Sequence, residues 1–434
     1  LRVLLLTQVL PYPPDSGPKI KTYHVLRHLV ERHEVTLVSF IRSEEERRQA
    51  DALRSMCADV HTVPMRRNLS GELRGLLASL LTGQPWMMTR DHRGAMAHRV
   101  DRLNARREFD IVHADQLNMA QYALRLSRAR KVLDLHNALW LLYRRFWETM
   151  PNGPRKWLLG RDWQLLRRYE GEMCRRFDAV LAVTDEDRRE LLEAASGDRS
   201  ASGDASYMVG GDSNHRLSHR PINISVIPIA IDTGALRPID RSPEARTVLH
   251  IGTMYWPPNA QGVLWFVREV WPQVKAAVPD ARFAIVGARP PHEVQALSQS
   301  DPSIEVTGYL PDPIDILRRT AVSIVPLSAG SGMRVKILEN FARGLPTVST
   351  TVGFEGIAAV PARDLLAADN AQEYAGAVIR LLRDPHEGRR LSDNARRLVE
   401  TKYDYRVACR PLDAIYARLG SLNRTAQPVT AATS

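Results

Sequence analysis

Short runs of Val, Ile and Leu alternate along this chain with stretches in which apolar residues recur every three or four positions. The first pattern fits strands buried on both faces, and the second fits helices that cover them. In the first half the apolar runs fall at residues 2–7, 34–40, 59–64, 111–113, 131–135 and 179–183. Helical spacing fills gaps between them at 23–31, 44–56 and 119–128. This alternation predicts β-α-β units and a parallel sheet.

The rhythm restarts in the second half. Strands are expected at 224–227, 247–251, 282–286, 303–307, 322–326 and 347–349. Helices are expected at 260–276, 336–343 and 371–382, with a last one at 405–419. The predicted fold class is α/β, with two Rossmann-like halves. Residues 196–220 are rich in Ser and Gly and lack apolar periodicity, which predicts a flexible insertion. The expected organisation is a first domain over 1–195, a linker over 196–221, a second domain over 222–400, a crossing helix over 401–421 and a disordered tail over 422–434.

Composition narrows the classes. Of 434 residues, 44% are hydrophobic and 25% charged, as in ordinary globular chains. No apolar run approaches the ~18 residues of a membrane helix. The opening Leu1-Arg2-Val3-Leu4-Leu5-Leu6 is too short for a signal core and reads as a first buried strand; Leu1 need not be the natural start. The net charge of +11 favours anionic partners: nucleic acid, anionic lipid or phosphorylated substrates. Cys57, Cys174 and Cys409 are too few and too scattered for a disulfide framework or a zinc site, so a reducing cytoplasmic setting is expected.

The chemistry concentrates at Ala329-Gly330-Ser331-Gly332-Met333-Arg334-Val335-Lys336-Ile337-Leu338-Glu339. A strand leads into a small-residue loop that opens a helix. Free amides and the helix dipole there attract an anion, and Arg334 and Lys336 add charge. Glu339, one turn in, can accept hydrogen bonds from sugar hydroxyls. The same residues also fit a tight βα turn with a solvated basic face.

The following Glu339-Asn340-Phe341-Ala342-Arg343-Gly344-Leu345-Pro346-Thr347-Val348-Ser349-Thr350 and Gly353-Phe354-Glu355-Gly356 make the chain resemble the family 4 (group 1) retaining glycosyltransferases of GT-B fold. Val226-Ile227-Pro228-Ile229-Ala230-Ile231-Asp232, Ile285-Val286-Gly287, Thr307-Gly308-Tyr309 and Ala367-Ala368-Asp369 follow in the family's order, and Pro13-Pro14-Asp15-Ser16-Gly17 is similar to its first loop. The resemblance implies two Rossmann-like domains facing across a cleft, with a C-terminal helix crossing back to the first. It implies a nucleotide-sugar donor on the second domain and an acceptor on the first. Donor binding would then fall to Gly17, Asn259, Gly308, Tyr309, Gly332, Met333, Val335 and Glu339. No metal or other cofactor is expected.

Two departures stand out. The family's signature pairs two glutamates; Glu339 matches the second, whose role is to bind ribose, but Ser331 stands at the first. The family often carries an Arg and then a Lys after the first strand of the second domain. Here that stretch is Gly252-Thr253-Met254-Tyr255-Trp256-Pro257-Pro258-Asn259, with neither. A leaving diphosphate needs positive charge, so Arg334 and Lys336 are expected to supply it, with Asn259 and Trp256 as sugar contacts. Trp256 also fits a core or hinge aromatic.

His113 and Asp115 end one predicted strand, and His136-Asn137 follow another, where parallel sheets place ligands. His136 looks like the family position near the donor sugar or reaction centre, and His113, Asp115 and Asn137 are the acceptor-side candidates. Asp185-Glu186-Asp187 matches a metal-binding D-x-D pattern, yet it follows Thr184 and reads better as a helix cap with acids in its first turn.

Residues 140–163 hold half of the eight tryptophans, and 141–176 carry nine Lys or Arg against four acids. Leu159, Trp163, Leu166 and Met173 share a helical face, so 141–176 fits either an interfacial helix docked on anionic lipid or a core helix with a basic outer face. No nucleic-acid motif accompanies the charge. The expected activity is transfer of a sugar from a nucleoside-diphosphate donor to a polysaccharide or glycolipid hydroxyl, with retention. A non-catalytic nucleotide-sugar-binding subunit is the alternative. An NAD(P) oxidoreductase would need a G-x-G-x-x-G after the first strand, which Pro11–Gly17 lacks.

Overall fold

The computed structural model describes residues 1–197, 222–242, 244–329 and 332–426. The chain divides into two compact units, Leu1–Pro228 with Cys409–Ser434, and Ile229–Ala408.

The first unit is built on seven parallel strands: β1 (Arg2–Thr7), β2 (Glu34–Ile41), β3 (Asp59–Pro64), β4 (Ile111–Asp115), β5 (Arg130–Asp134), β6 (Ala179–Ala182) and β7 (Ile224–Val226). Their order in the sheet is β3-β2-β1-β4-β5-β6-β7. Val3 to Leu6 are fully buried, as expected of a central strand covered on both faces. β7 pairs with β6, so residues 224–226 complete the first sheet, whereas the sequence placed them in the second domain.

The second unit carries six parallel strands: β8 (Thr247–Ile251), β9 (Arg282–Val286), β10 (Ile304–Gly308), β11 (Thr320–Val325), β12 (Thr347–Ser349) and β13 (Leu366–Ala367). The order is β10-β9-β8-β11-β12-β13. β13 is only two residues long, within the short apolar run Leu365-Leu366-Ala367-Ala368. Each sheet therefore reverses its winding once, between β1 and β4 and between β8 and β11. Ligands of such sheets settle beyond the carboxyl ends of the strands at those points.

Several helices differ from expectation for local reasons. The stretch predicted at 260–276 is a helix Pro257–Trp265, a π turn Phe266–Val270 and a helix Trp271–Ala277. The predicted last helix is broken into Tyr405–Ala408 and Pro411–Ala426, because Pro411 lacks an amide hydrogen and starts a new helix rather than continuing one. The helix runs on to Ala426, into the region expected to be disordered. It packs on β4 and β5, and Asp413 accepts a 2.8 Å hydrogen bond from His28. The predicted insertion falls almost wholly on 198–221, outside the described residues.

The basic aromatic stretch forms two helices, Leu139–Thr149 and Pro154–Arg176, separated at Pro151-Asn152-Gly153. Of the two readings the sequence left open for its apolar face, lipid or core, Leu166, Met173 and Trp163 follow the second. Leu166 and Met173 are fully buried, and Trp163 packs against the same core. All three cysteines are buried, and none forms a disulfide among the described residues. Among the described residues, no helix is long and apolar enough to cross a membrane.

Candidate functional site

At the second sheet's reversal, β8 ends in Ile251-Gly252 and β11 leads through Pro326 to the helix Val335–Ala342. Gly330 and Ser331, including the position that departs from the family's first glutamate, lie outside the described residues. Gly332 takes φ +81° just before the helix. Among the described residues no side chain caps the helix and no acid stands in its first turn, which leaves its N-terminal dipole suited to an anion.

Lys336 and Glu339 project from this helix one turn apart, both half-buried. Neither side chain has a hydrogen bond or ion pair among the described residues. Burial pushes the Lys336 ammonium down to about 7, and Arg334 adds to the fall while Glu339 opposes it. Burial pushes Glu339 up, against the pull of Arg343 and Lys336. Two half-buried charges without partners are costly to a fold.

Lys336 Nζ lies over Gly252. A Cβ there would collide with Nζ and stand 3.0 Å from both His250 Nε2 and Asn259 Nδ2. Only glycine leaves room for the lysine. His250 is buried on β8, and its Nδ1–H donates to Ile324 O at 3.2 Å. Its Nε2 is therefore a lone-pair acceptor, and it has no partner among the described residues. Burial and the Lys336 charge push His250 down to about 3, so the ring is neutral. Asn259 is buried, donates to Thr253 O at 2.9 Å and leaves its Oδ1 unpartnered. Arg334 is buried, donates to Gly332 O at 2.8 Å and stacks on the half-buried Trp256 ring, 5.5 Å from its centroid. Met333 and Val335 are buried on either side of it. At the same end of the sheet, Tyr255 and Tyr309 are exposed, and Gly308 takes φ +71° at the end of β10.

The sequence singled out Arg334, Lys336, Glu339 and Asn259, and the structure gathers Lys336 and Asn259 around Gly252. It missed His250. A histidine inside the apolar run Val248-Leu249-His250-Ile251 was the available signal.

At the first sheet's reversal, the helix Gly17–Val30 follows β1 and sends Lys21 and Thr22 inward. Lys21 pairs with Asp134 at the end of β5, both fully buried. Burial alone would push Asp134 up, but Lys21, His113 and His136 outweigh it and hold the carboxyl well below its usual range. Thr22 Oγ1 donates to Asp115 at 3.0 Å, and His136 Nε2 lies 2.9 Å from the same carboxylate. The Asp115 carboxylate accepts, so Nε2 donates and His136 Nδ1 remains open, without a partner. Asp115, Asp134 and His136 offer ligand atoms within 4.8 Å of one another, as a metal would need. Lys21 binds Asp134 Oδ1 and Thr22 binds Asp115, while Asp134 Oδ2 has no hydrogen-bond partner among the described residues. Asn137 is half-exposed beside His136.

His113 does not fit the acceptor role assigned to it. It is fully buried, and Tyr416 of the returning helix holds its Nδ1 at 2.7 Å. The D-x-D reading resolves as a cap. Thr184 accepts from the Asp187 amide at 3.0 Å, and Asp187 in turn accepts from the Ala138 amide at 2.9 Å. Glu170, which the sequence did not mark, accepts from the amides of Leu139 and Trp140 at 3.0 and 2.9 Å. Burial pushes Glu170 up to about 8 despite those bonds.

Residues 17–199 match the glycosyltransferase family 4 domain, and residues 245–384 match the glycosyl transferases group 1 domain. Among solved structures, the fold is similar to the Anabaena protein HepE in complex with UDP, at 13% identity and a TM-score of 0.65, covering 96% of this chain and 100% of that one. It is also similar to sucrose-phosphate synthase from Thermosynechococcus elongatus, at 14% identity and a TM-score of 0.67, covering 97% and 100%. A protein in the cps region of Klebsiella pneumoniae is 24% identical over 164 residues, 36% of this chain and 42% of that protein. The match thus spans less than half of that relative's length.

Proposed function

We propose, from the premise that the chain belongs to the family 4 (group 1) glycosyltransferases of GT-B fold, that it moves a sugar from a nucleoside diphosphate to a hydroxyl acceptor with retention of configuration. The observation that supports this most is the pair of unpartnered charges on one helix. Lys336 waits for an anion, and Glu339 waits for hydroxyl donors. A nucleoside diphosphate has both.

In the second unit, Lys336, Arg334 and the open amides around Met333 and Val335 would stabilise the charge that develops on the leaving diphosphate. Lys336 then takes the place of the Arg and Lys missing after β8, reaching that loop from the neighbouring helix. Glu339 would accept from the ribose hydroxyls. Asn259, Gly332 and the exposed Tyr309 complete the donor contacts. In the first unit, His136, held by Asp115, would orient the reacting sugar or its acceptor, with Gly17 and Asn137 nearby. Departure of the diphosphate ahead of same-face attack leaves a phosphate oxygen to take the acceptor proton. No protein base is then required. The acceptor class this reading favours is a polysaccharide or a lipid-linked sugar.

A panel of UDP-, GDP-, ADP- and dTDP-sugars in thermal shift tests the donor site. One base series should raise Tm by mass action, and turnover should follow with the same series. UDP is the first to try, because HepE was solved with it. A folded sample that responds to none of them would overturn the proposal. Binding without turnover across many acceptors would favour a nucleotide-sugar-binding subunit.

A further inference from the structure

The helix Leu69–Thr82 is built inside out. Its buried residues are Gly75 and Ser79, while Leu69, Leu73, Leu77, Leu80 and Leu81 are 45–86% exposed. Their spacing places them along one side of the helix, over roughly 20 Å at 1.5 Å per residue.

The small face is what the fold uses. A Cβ on Gly75 would stand 2.7 Å from Arg90 Cα, so the helix backbone lies directly on the Trp86–Asp91 helix. Thr89 Oγ1 donates to Gly75 O at 2.7 Å, and Arg161 donates to both Ser79 Oγ and Ser79 O. Asn68 caps the first turn, and Gly83 ends the helix in the left-handed region. The helix is thus held at both ends and along its inner side by its small and polar residues. A patch of this kind exceeds the scattered apolar residues of an ordinary surface.

Positive charge borders the patch. Arg66, Arg67 and Arg74 are exposed, and neither the Arg66 nor the Arg74 guanidinium has a partner among the described residues. Glu72 is the acid of this helix, and Arg90 already faces it at 4.0 Å. Trp157 is exposed one turn before Arg161 on the neighbouring helix.

We infer that this leucine face docks on an anionic lipid bilayer, with the leucines among the acyl chains and the arginines at the headgroups. A second copy of the chain fits less well, because a two-fold contact sets the same patch against itself and brings its unpaired cations together. The surface differs from the 141–176 face suggested by the sequence, of which Leu166 and Met173 are in the core. The inference does not depend on the donor reading.

Co-sedimentation of the full chain with phosphatidylglycerol-containing and pure phosphatidylcholine vesicles tests it. Anionic vesicles should bind the protein roughly tenfold or more tightly than neutral ones. Leu73→Gln with Leu77→Gln should lower that binding by roughly tenfold, with Tm unchanged because both side chains are exposed. Arg66→Gln with Arg74→Gln should weaken binding and flatten its salt dependence. An environment-sensitive label on Leu77→Cys should shift to the blue only with anionic vesicles; the native cysteines are buried and spared. Undiminished vesicle binding in the leucine variant would overturn the inference. So would a dimer that the same variant dissociates while vesicles bind neither protein. Calorimetry with UDP on the same variants reads the donor site separately.

Discussion

The two sheet reversals each hold a buried or half-buried lysine, and they differ in whether it meets a counter-ion. At the end of β4 and β5, Lys21 answers Asp134, while Thr22 and His136 answer Asp115. At the end of β8 and β11, Lys336, Glu339, His250 Nε2 and Asn259 Oδ1 have no partner among the described residues. In the first the lysine has its counter-ion, although Asp134 Oδ2 and His136 Nδ1 have no partner among the described residues. The second carries a desolvation cost that an incoming anion and its hydroxyls would relieve. A lysine can therefore be buried for stability or for binding, and its partner tells which.

Breaking the paired site should have the largest effect. Lys21→Met leaves the Asp134 carboxylate buried without its cation, and should cost about 3–5 kcal/mol in urea unfolding. Lys336→Met removes an unpaired charge and should leave Tm unchanged or higher. The same Lys336→Met change should lower kcat about 10²–10³-fold with the cognate donor, the loss typical of removing one group that stabilises transition-state charge. If Lys336→Met unfolds the protein while Lys21→Met does not, the contrast between the sites is wrong.

Gly252→Ala comes next. The added methyl meets Lys336 Nζ, the end of a flexible side chain, so the chain should fold but hold the amine away from its loop. Donor affinity measured by calorimetry should fall roughly tenfold, about 1.4 kcal/mol.

The smallest effect is protonic. Lys336 sits near 7 in the free protein because burial disfavours its charge. A bound diphosphate favours the charged form, so binding above neutral pH should take up to about one proton, and affinity should fall as pH rises past 7. Calorimetry in buffers of different ionisation enthalpy reads this uptake, and Lys336→Met should abolish it. Stability of the free protein carries the opposite signs at the two sites. At Lys336 the unfolded chain binds more protons, so stability rises between about pH 7 and the unfolded lysine value near 10.4. At Asp134 the folded value is depressed, so its contribution is present above the unfolded value near 3.9 and is lost as pH falls below it.

Much of this was legible in the linear pattern. The runs at 2–7, 247–251, 282–286 and 347–349 are strands as read, because a parallel strand covered on both faces is largely buried, whereas 59–64 is a strand at the sheet edge that is only partly buried. The cap at Thr184–Asp187 was legible because its partners are three residues apart. His113 was misread because its environment is set by Tyr416, 303 residues away. The face of Leu166 and Met173 was ambiguous because amphipathic periodicity is the same for a helix against a core and one against lipid. The leucines of Leu69–Thr82 were passed over for a related reason: nothing local says that Gly75 and Ser79 take the inward side.

The sequence by itself determined the alternation of strands and helices, the glycine-bearing turns and the presence of Arg334, Lys336 and Glu339 on one loop and helix. These depend on neighbours within a few residues. Tertiary structure alone decided which charges are answered. Lys21 finds Asp134 across 113 residues of chain, whereas Lys336 is carried over Gly252 beside a neutral His250 and left unpaired. The cost of a buried charge depends on everything packed around it, and that surrounding exists only once the sheets have formed.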